Sequence, residues 1–143
     1  MKYHFRIHKE KKGYWAQCLE LPGCSTQGDS MAELRTSMRE ALNLFLDEPP
    51  ASNHFHPLPR ARLKGRNIIA IPVSPAIAFS TYLRALRHMH SLSQKQAAAL
   101  LGFKNLYSYQ RLESSKSANP VLSTLARIKT IFPEFRLDEL LAI

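Results

Sequence analysis

The sequence predicts an α+β protein of two parts: a β-β-β-α-β unit over residues 1–73 and an all-helical unit over residues 74–143. Three observations carry this reading. Apolar side chains before residue 74 follow mostly the two-residue period of half-buried strands, interrupted by one helical pattern. After Ser74 the apolar spacing is three and four throughout. The positive charge, finally, is confined to one end: residues 1–58 hold seven Lys/Arg against seven Asp/Glu, whereas residues 59–143 hold thirteen against four.

Residues 2–9, Lys-Tyr-His-Phe-Arg-Ile-His-Lys, put Tyr3, Phe5 and Ile7 on one side and charged or imidazole groups on the other, which predicts a first strand. Lys12-Gly13 turns the chain, and the aromatic run Tyr14 to Leu19 reads as its antiparallel partner, ended by Pro22-Gly23. A short third strand is expected over Cys24–Gln27. Ser30 and Glu33 then form a capping box, each side chain accepting from a backbone N–H left open at the helix start. The helix that follows carries Met31, Leu34, Met38, Ala41, Leu42 and Phe45 as a stripe suited to lie on a sheet, and it stops at Pro49-Pro50. Residues 47–66, with four prolines, make a loop assigned to the first domain, and Asn67 to Val73 reads as a fourth strand.

Ser74-Pro75 predicts an N-cap and first-turn proline for a helix running to about His90. Ser93 with Gln96 repeats the capping box, Gly102 closes that helix, and Asn105 caps another over about 106–114. Asn119-Pro120 is expected to start one more, with Val121, Leu125, Ile128 and Phe132 as its stripe, before a last short helix holding Leu137, Leu140 and Leu141.

With 45% apolar and 22% charged residues the chain reads as globular. No stretch approaches the roughly 20 apolar residues of a membrane span, and the N-terminus lacks a signal-peptide core, so a cytoplasmic location is expected. Cys18 and Cys24 form no CxxC pair and indicate neither a disulfide framework nor a zinc site; they read as reduced thiols, with a cross-strand bridge as the geometric alternative. No acidic residue lies between Glu48 and Glu113, where Arg60, Arg62, Lys64, Arg66, Arg84, Arg87, Lys95, Lys104 and Arg111 fall. That field suits a polyanion such as nucleic acid, or else a solvated basic face.

Ser93-Gln-Lys-Gln-Ala-Ala-Ala-Leu-Leu-Gly102 followed by Phe103-Lys-Asn-Leu-Tyr-Ser-Tyr-Gln-Arg-Leu-Glu113 meets the requirements of a helix-turn-helix. Ala97 and Ala98 allow a close helix crossing and Gly102 the tight turn. Tyr109 and Leu112 would point inward, leaving the second helix to offer polar groups to base edges. Leu92-Ser93-Gln94, Arg111-Leu112-Glu113 and Asn119-Pro120 resemble the motif of the Cro/CI-like repressors, over about residues 75–143. The resemblance implies double-stranded operator DNA as a partner and a contact role for Gln94; with Lys104 and Asn105 on the turn and the outward Tyr107, Ser108 and Arg111, these are the expected contacts, read by a homodimer or higher oligomer on paired half-sites.

Tyr14-Trp-Ala-Gln-Cys-Leu-Glu-Leu-Pro-Gly-Cys-Ser-Thr-Gln-Gly-Asp-Ser-Met-Ala-Glu-Leu34 resembles the HicB antitoxin signature. That resemblance implies a degenerate ribonuclease-H-like fold for the first domain, an mRNA-cleaving HicA-type toxin as its protein partner, and autoregulation through the second domain. Tyr14, Trp15, Glu20 and Leu21 are the candidate toxin contacts, an exposed strand and turn with aromatics suiting an interface; burial in the domain's own core is the alternative for each.

Catalysis, cofactors and metals are not expected. Glu10, Glu20 and Asp29 lie near turns and a helix start, a poor set for the clustered carboxylates of two-metal chemistry. His54-x-His56 sits in a proline-rich loop without Cys or acidic neighbours, and His88-x-His90 turns its rings to different helix faces. A free-standing repressor with a ligand-sensing or dimerising first domain is the rival to the antitoxin reading.

Overall fold

A computed structural model describes residues 1–141. The chain forms two compact units, residues 1–46 with 57–74 and residues 47–56 with 75–141. The loop that sequence reading assigned whole to the first domain is therefore divided: residues 47–56 pack with the helices. Hydrogen bonds from the buried side chains of Arg84 and Gln94 to their backbone, set out below, are the reason.

In the first unit β1 (Lys2–Lys9), β2 (Tyr14–Cys18), β3 (Ser25–Gly28) and β4 (Ile68–Pro72) form one sheet in the order β3-β2-β1-β4, antiparallel at every step. The apolar first strand is central, as its alternation requires: Phe5 pairs with Cys18 on one side and Ile69 on the other. Helix α1 (Met31–Leu46) buries Leu34, Met38, Leu42 and Leu46 at successive turns. It packs against β2, β3 and β4 and shares a core with Tyr3, Phe5, Ala16 and Ile71. Third-strand pairing begins one residue later than expected, and Cys24 is a buried loop residue whose carbonyl accepts from the Cys18 N–H at 2.8 Å.

The turn from β3 into α1 explains Gly28. A Cβ there would stand 2.6 Å from the Leu34 nitrogen and 2.9 Å from its Cα, so only glycine lets strand and helix approach this closely. Ser30 Oγ accepts from the Glu33 N–H at 3.1 Å, while the Glu33 carboxylate accepts from Asp29, one residue before the position an ideal box would use, at 2.9 Å.

The second unit holds α2 (Pro75–Met89), α3 (Gln94–Leu100), α4 (Leu106–Gln110), α5 (Leu122–Ile131) and α6 (Leu137–Leu140). Two expectations are corrected. Asn119-Pro120 lies outside α5, whose N-cap is Val121 with no side-chain cap, because residues 111–118 continue as successive turns bonded through Arg111 and Ser114 carbonyls. The stripe of that helix is correspondingly narrower: Ile128 and Phe132 are buried, whereas Val121 is 63% exposed. No helix among the described residues is long and apolar enough to cross a membrane.

Candidate nucleic-acid interface

Helices α3 and α4 pack together across a turn of residues 101–105. Ser93 closes a complete capping box at the start of α3, its Oγ accepting from the Gln96 N–H at 3.1 Å and the Gln96 side chain accepting from the Ser93 N–H at 2.8 Å. Ala97 and Ala98 are buried at the crossing, and Gly102 adopts φ 76° in the turn, a left-handed conformation that glycine enters without strain. Asn105 caps α4 by accepting from the Ser108 N–H at 2.8 Å. Tyr109 and Leu112 point inward as the spacing predicted.

Of the six expected DNA contacts, five share this surface. Lys104, Asn105, Tyr107 and Arg111 are exposed and Ser108 half-buried, on the turn, on α4 and at its C-cap. Gln94 does not join them. It is buried, its amide donating to Glu113 Oε2 at 2.9 Å and to the Pro50 carbonyl at 2.6 Å while its oxygen accepts from Gln110 at 3.0 Å. A side chain with its amide saturated inside the unit has nothing left to offer a base.

The interior behind the surface is polar, and here sequence reasoning missed the residues that matter. Glu113 has no exposed surface; it accepts from Arg87 Nε at 2.6 Å, from Arg87 Nη2 at 3.2 Å and from the Tyr109 hydroxyl at 2.6 Å. Arg84 donates to the Glu113 carbonyl at 2.8 Å, to the Pro49 carbonyl at 3.1 Å and to that of Ser52. Burial lowers the pKa of Arg84, and burial together with the Glu113 carboxylate raises that of Tyr109. Arg84 and Arg87 are thus withdrawn from the basic surface to which charge counting assigned them, and both hold the scaffold of α2, α3 and α4. The sequence carries no signal for this, because a carboxylate in a basic stretch reads equally as a solvated charge.

On the first unit, Tyr14 and Trp15 are half-buried on β2, with Trp15 stacked on His8 at a centroid distance of 4.0 Å. Glu20 and Leu21 turn inward, so for them the core alternative holds. The Glu20 carboxylate accepts from the His4 N–H at 2.8 Å and from the Arg60 N–H at 3.2 Å, and pairs with the His4 ring at 2.9 Å. Leu21 is 1% exposed. Cys18 and Cys24 are buried free thiols; the neighbouring Cys24 thiol lowers the Cys18 pKa, and Cys18 together with burial raises that of Cys24.

No family model matches the chain. A 39-residue segment, 27% of the chain, is 44% identical to a UPF0150 protein of Synechocystis sp., of which it spans 54%. A 48-residue segment, 33% of the chain, is 40% identical to a UPF0150 protein of Archaeoglobus fulgidus and spans 70% of it. The chain belongs to the UPF0150 family. UPF0150 is a HicB-like family. The match covers just over half of the Synechocystis protein and at most a third of the chain itself, so UPF0150 membership describes one segment of a longer architecture.

Proposed function

We propose that this UPF0150 chain is the antitoxin of a toxin–antitoxin pair: the first unit binds and neutralises a HicA-type mRNA ribonuclease, and the second binds the operator of its own operon as a helix-turn-helix repressor. HicB-like family membership is the observation that carries the antitoxin half. The DNA half is supported by the pairing of α3 with α4 and by the exposed row Lys104, Asn105, Tyr107 and Arg111 above the buried cluster around Glu113. Such a row offers donors to base edges and phosphates, and Tyr14 and Trp15 remain the candidate toxin contacts on the first unit.

Two measurements test the two halves separately. Purification of the tagged chain at native expression, followed by mass spectrometry, should return a small basic protein in stoichiometric amount. If nothing co-purifies, the first unit is a sensor or dimerisation unit and the antitoxin half fails. Titration of the chain against DNA from upstream of its own gene should give sequence-specific binding, with a stoichiometry of two chains per palindromic site. Equal affinity for unrelated DNA would remove the repressor half.

A further inference from the structure

The loop at residues 47–56 brings together groups that spacing alone kept apart. Glu48 lies six residues before His54, yet one ligand atom from each of Glu48, His54 and His56 falls within 4.8 Å of the others. Glu48 and His56 already touch, carboxylate to Nε2, at 3.1 Å, and the His54 ring meets that of His56 edge-on at 4.7 Å. We propose that Glu48, His54 and His56 form a binding site for a divalent transition-metal ion of zinc type.

The loop is built to hold this shape. Between Glu48 and His54 its backbone is tied at three carbonyls: Pro49 and Ser52 accept from the buried Arg84 guanidinium, and Pro50 accepts from Gln94. Phe55, between the two histidines, stacks on His88 of α2 at 4.4 Å. The prolines at 49 and 50 further restrict the chain. A site whose backbone is fixed by residues of the protein interior loses little entropy on loading.

The ligand set selects the ion. Two imidazoles and one carboxylate suit zinc and its neighbours, whereas magnesium and calcium prefer oxygen alone. Bonds of about 2.0 to 2.2 Å place tetrahedral ligand atoms roughly 3.3 to 3.5 Å apart, so closure from 4.8 Å needs a contraction of up to about 1.5 Å. His54 is exposed and can supply it by side-chain rotation. The Arg84 charge acts on His56 and opposes a cation, but three backbone carbonyls and Glu113 surround that guanidinium. Three protein ligands leave one position open for water or for a side chain of a partner.

The test uses the full-length, tag-free chain stripped with chelator. Calorimetric titration with Zn²⁺ should show one saturable equivalent, and Co²⁺ should give the absorption of a tetrahedral nitrogen–oxygen site. Glu48→Gln and His54→Ala should each weaken binding by about tenfold or more without changing the circular dichroism of the apo chain. His54 is exposed, so its removal leaves the fold intact. Unsaturable binding, equal affinity in both variants, or a thiolate-to-cobalt charge-transfer band implicating Cys18 and Cys24 would each overturn the proposal.

Discussion

Glu113 accepts from Arg87, Tyr109 and Gln94 with none of its surface exposed, so α2, α3 and α4 meet at one carboxylate. Removing one partner of a buried pair strands the other charge. Glu113→Ala is therefore expected to cost about 3 to 5 kcal/mol in urea denaturation. Arg111, two residues away, is exposed, and its removal should change stability by no more than about 0.5 kcal/mol. The same substitution should weaken operator binding by about 1 to 3 kcal/mol in fluorescence anisotropy, and unaltered affinity would take Arg111 out of the interface. His88 contributes to the pH dependence. Burial, then the adjacent Arg87 charge, lowers its pKa below the usual 6.5. The unfolded chain thus takes up the proton first as pH falls, so the stabilisation is complete above pH 6.5 and is lost on descending through the lowered value. Denaturation series in chelator from neutral to mildly acidic pH should show this decline, and His88→Gln should flatten it.

The elements obey local rules except where packing overrides them. Ser93, Gln96 and Asn105 all cap as their positions predict, because a cap is satisfied within four residues of chain. Asn119-Pro120 shows the limit: the pattern suits a helix start, but the preceding turns through Ser114 hold it ahead of α5. The Gly28 junction is decided by packing of β3 on α1, since a Cβ would enter the Leu34 backbone, which cannot retreat as a flexible side chain would. Gly28→Ala is expected to destabilise the chain by about 1 to 3 kcal/mol, measured by chemical denaturation, and an unchanged midpoint would mean that α1 can slide on the sheet.

At the scale of the whole molecule, positive charge is shared by the two units, since Arg60, Arg62, Lys64 and Arg66 fold with the first and Lys95, Lys104 and Arg111 with the second. Operator affinity should fall steeply between about 50 and 200 mM salt, because each phosphate neutralised releases condensed counterions. A shallow slope of log affinity against log salt would mean that Lys95, Lys104 and Arg111 face solvent and not DNA. The succession of elements, the β1–β2 hairpin, the caps at Ser93 and Asn105 and the α3–α4 pairing were legible because each depends on neighbours a few positions apart in sequence or on a period set by backbone geometry, whereas the place of β4 beside β1 was not. By itself the sequence thereby determined an α+β chain with a four-stranded unit, a helical unit and a basic C-terminal half. Only the tertiary structure decided that Gln94, Arg84 and Arg87 serve the interior, that Glu20 closes on His4, and that Glu48 meets His54 and His56. Partners 16 to 44 residues apart, such as His4 with Glu20 or Pro50 with Gln94, leave no periodic trace in a chain, and a buried charge looks like a surface charge until its partner is found.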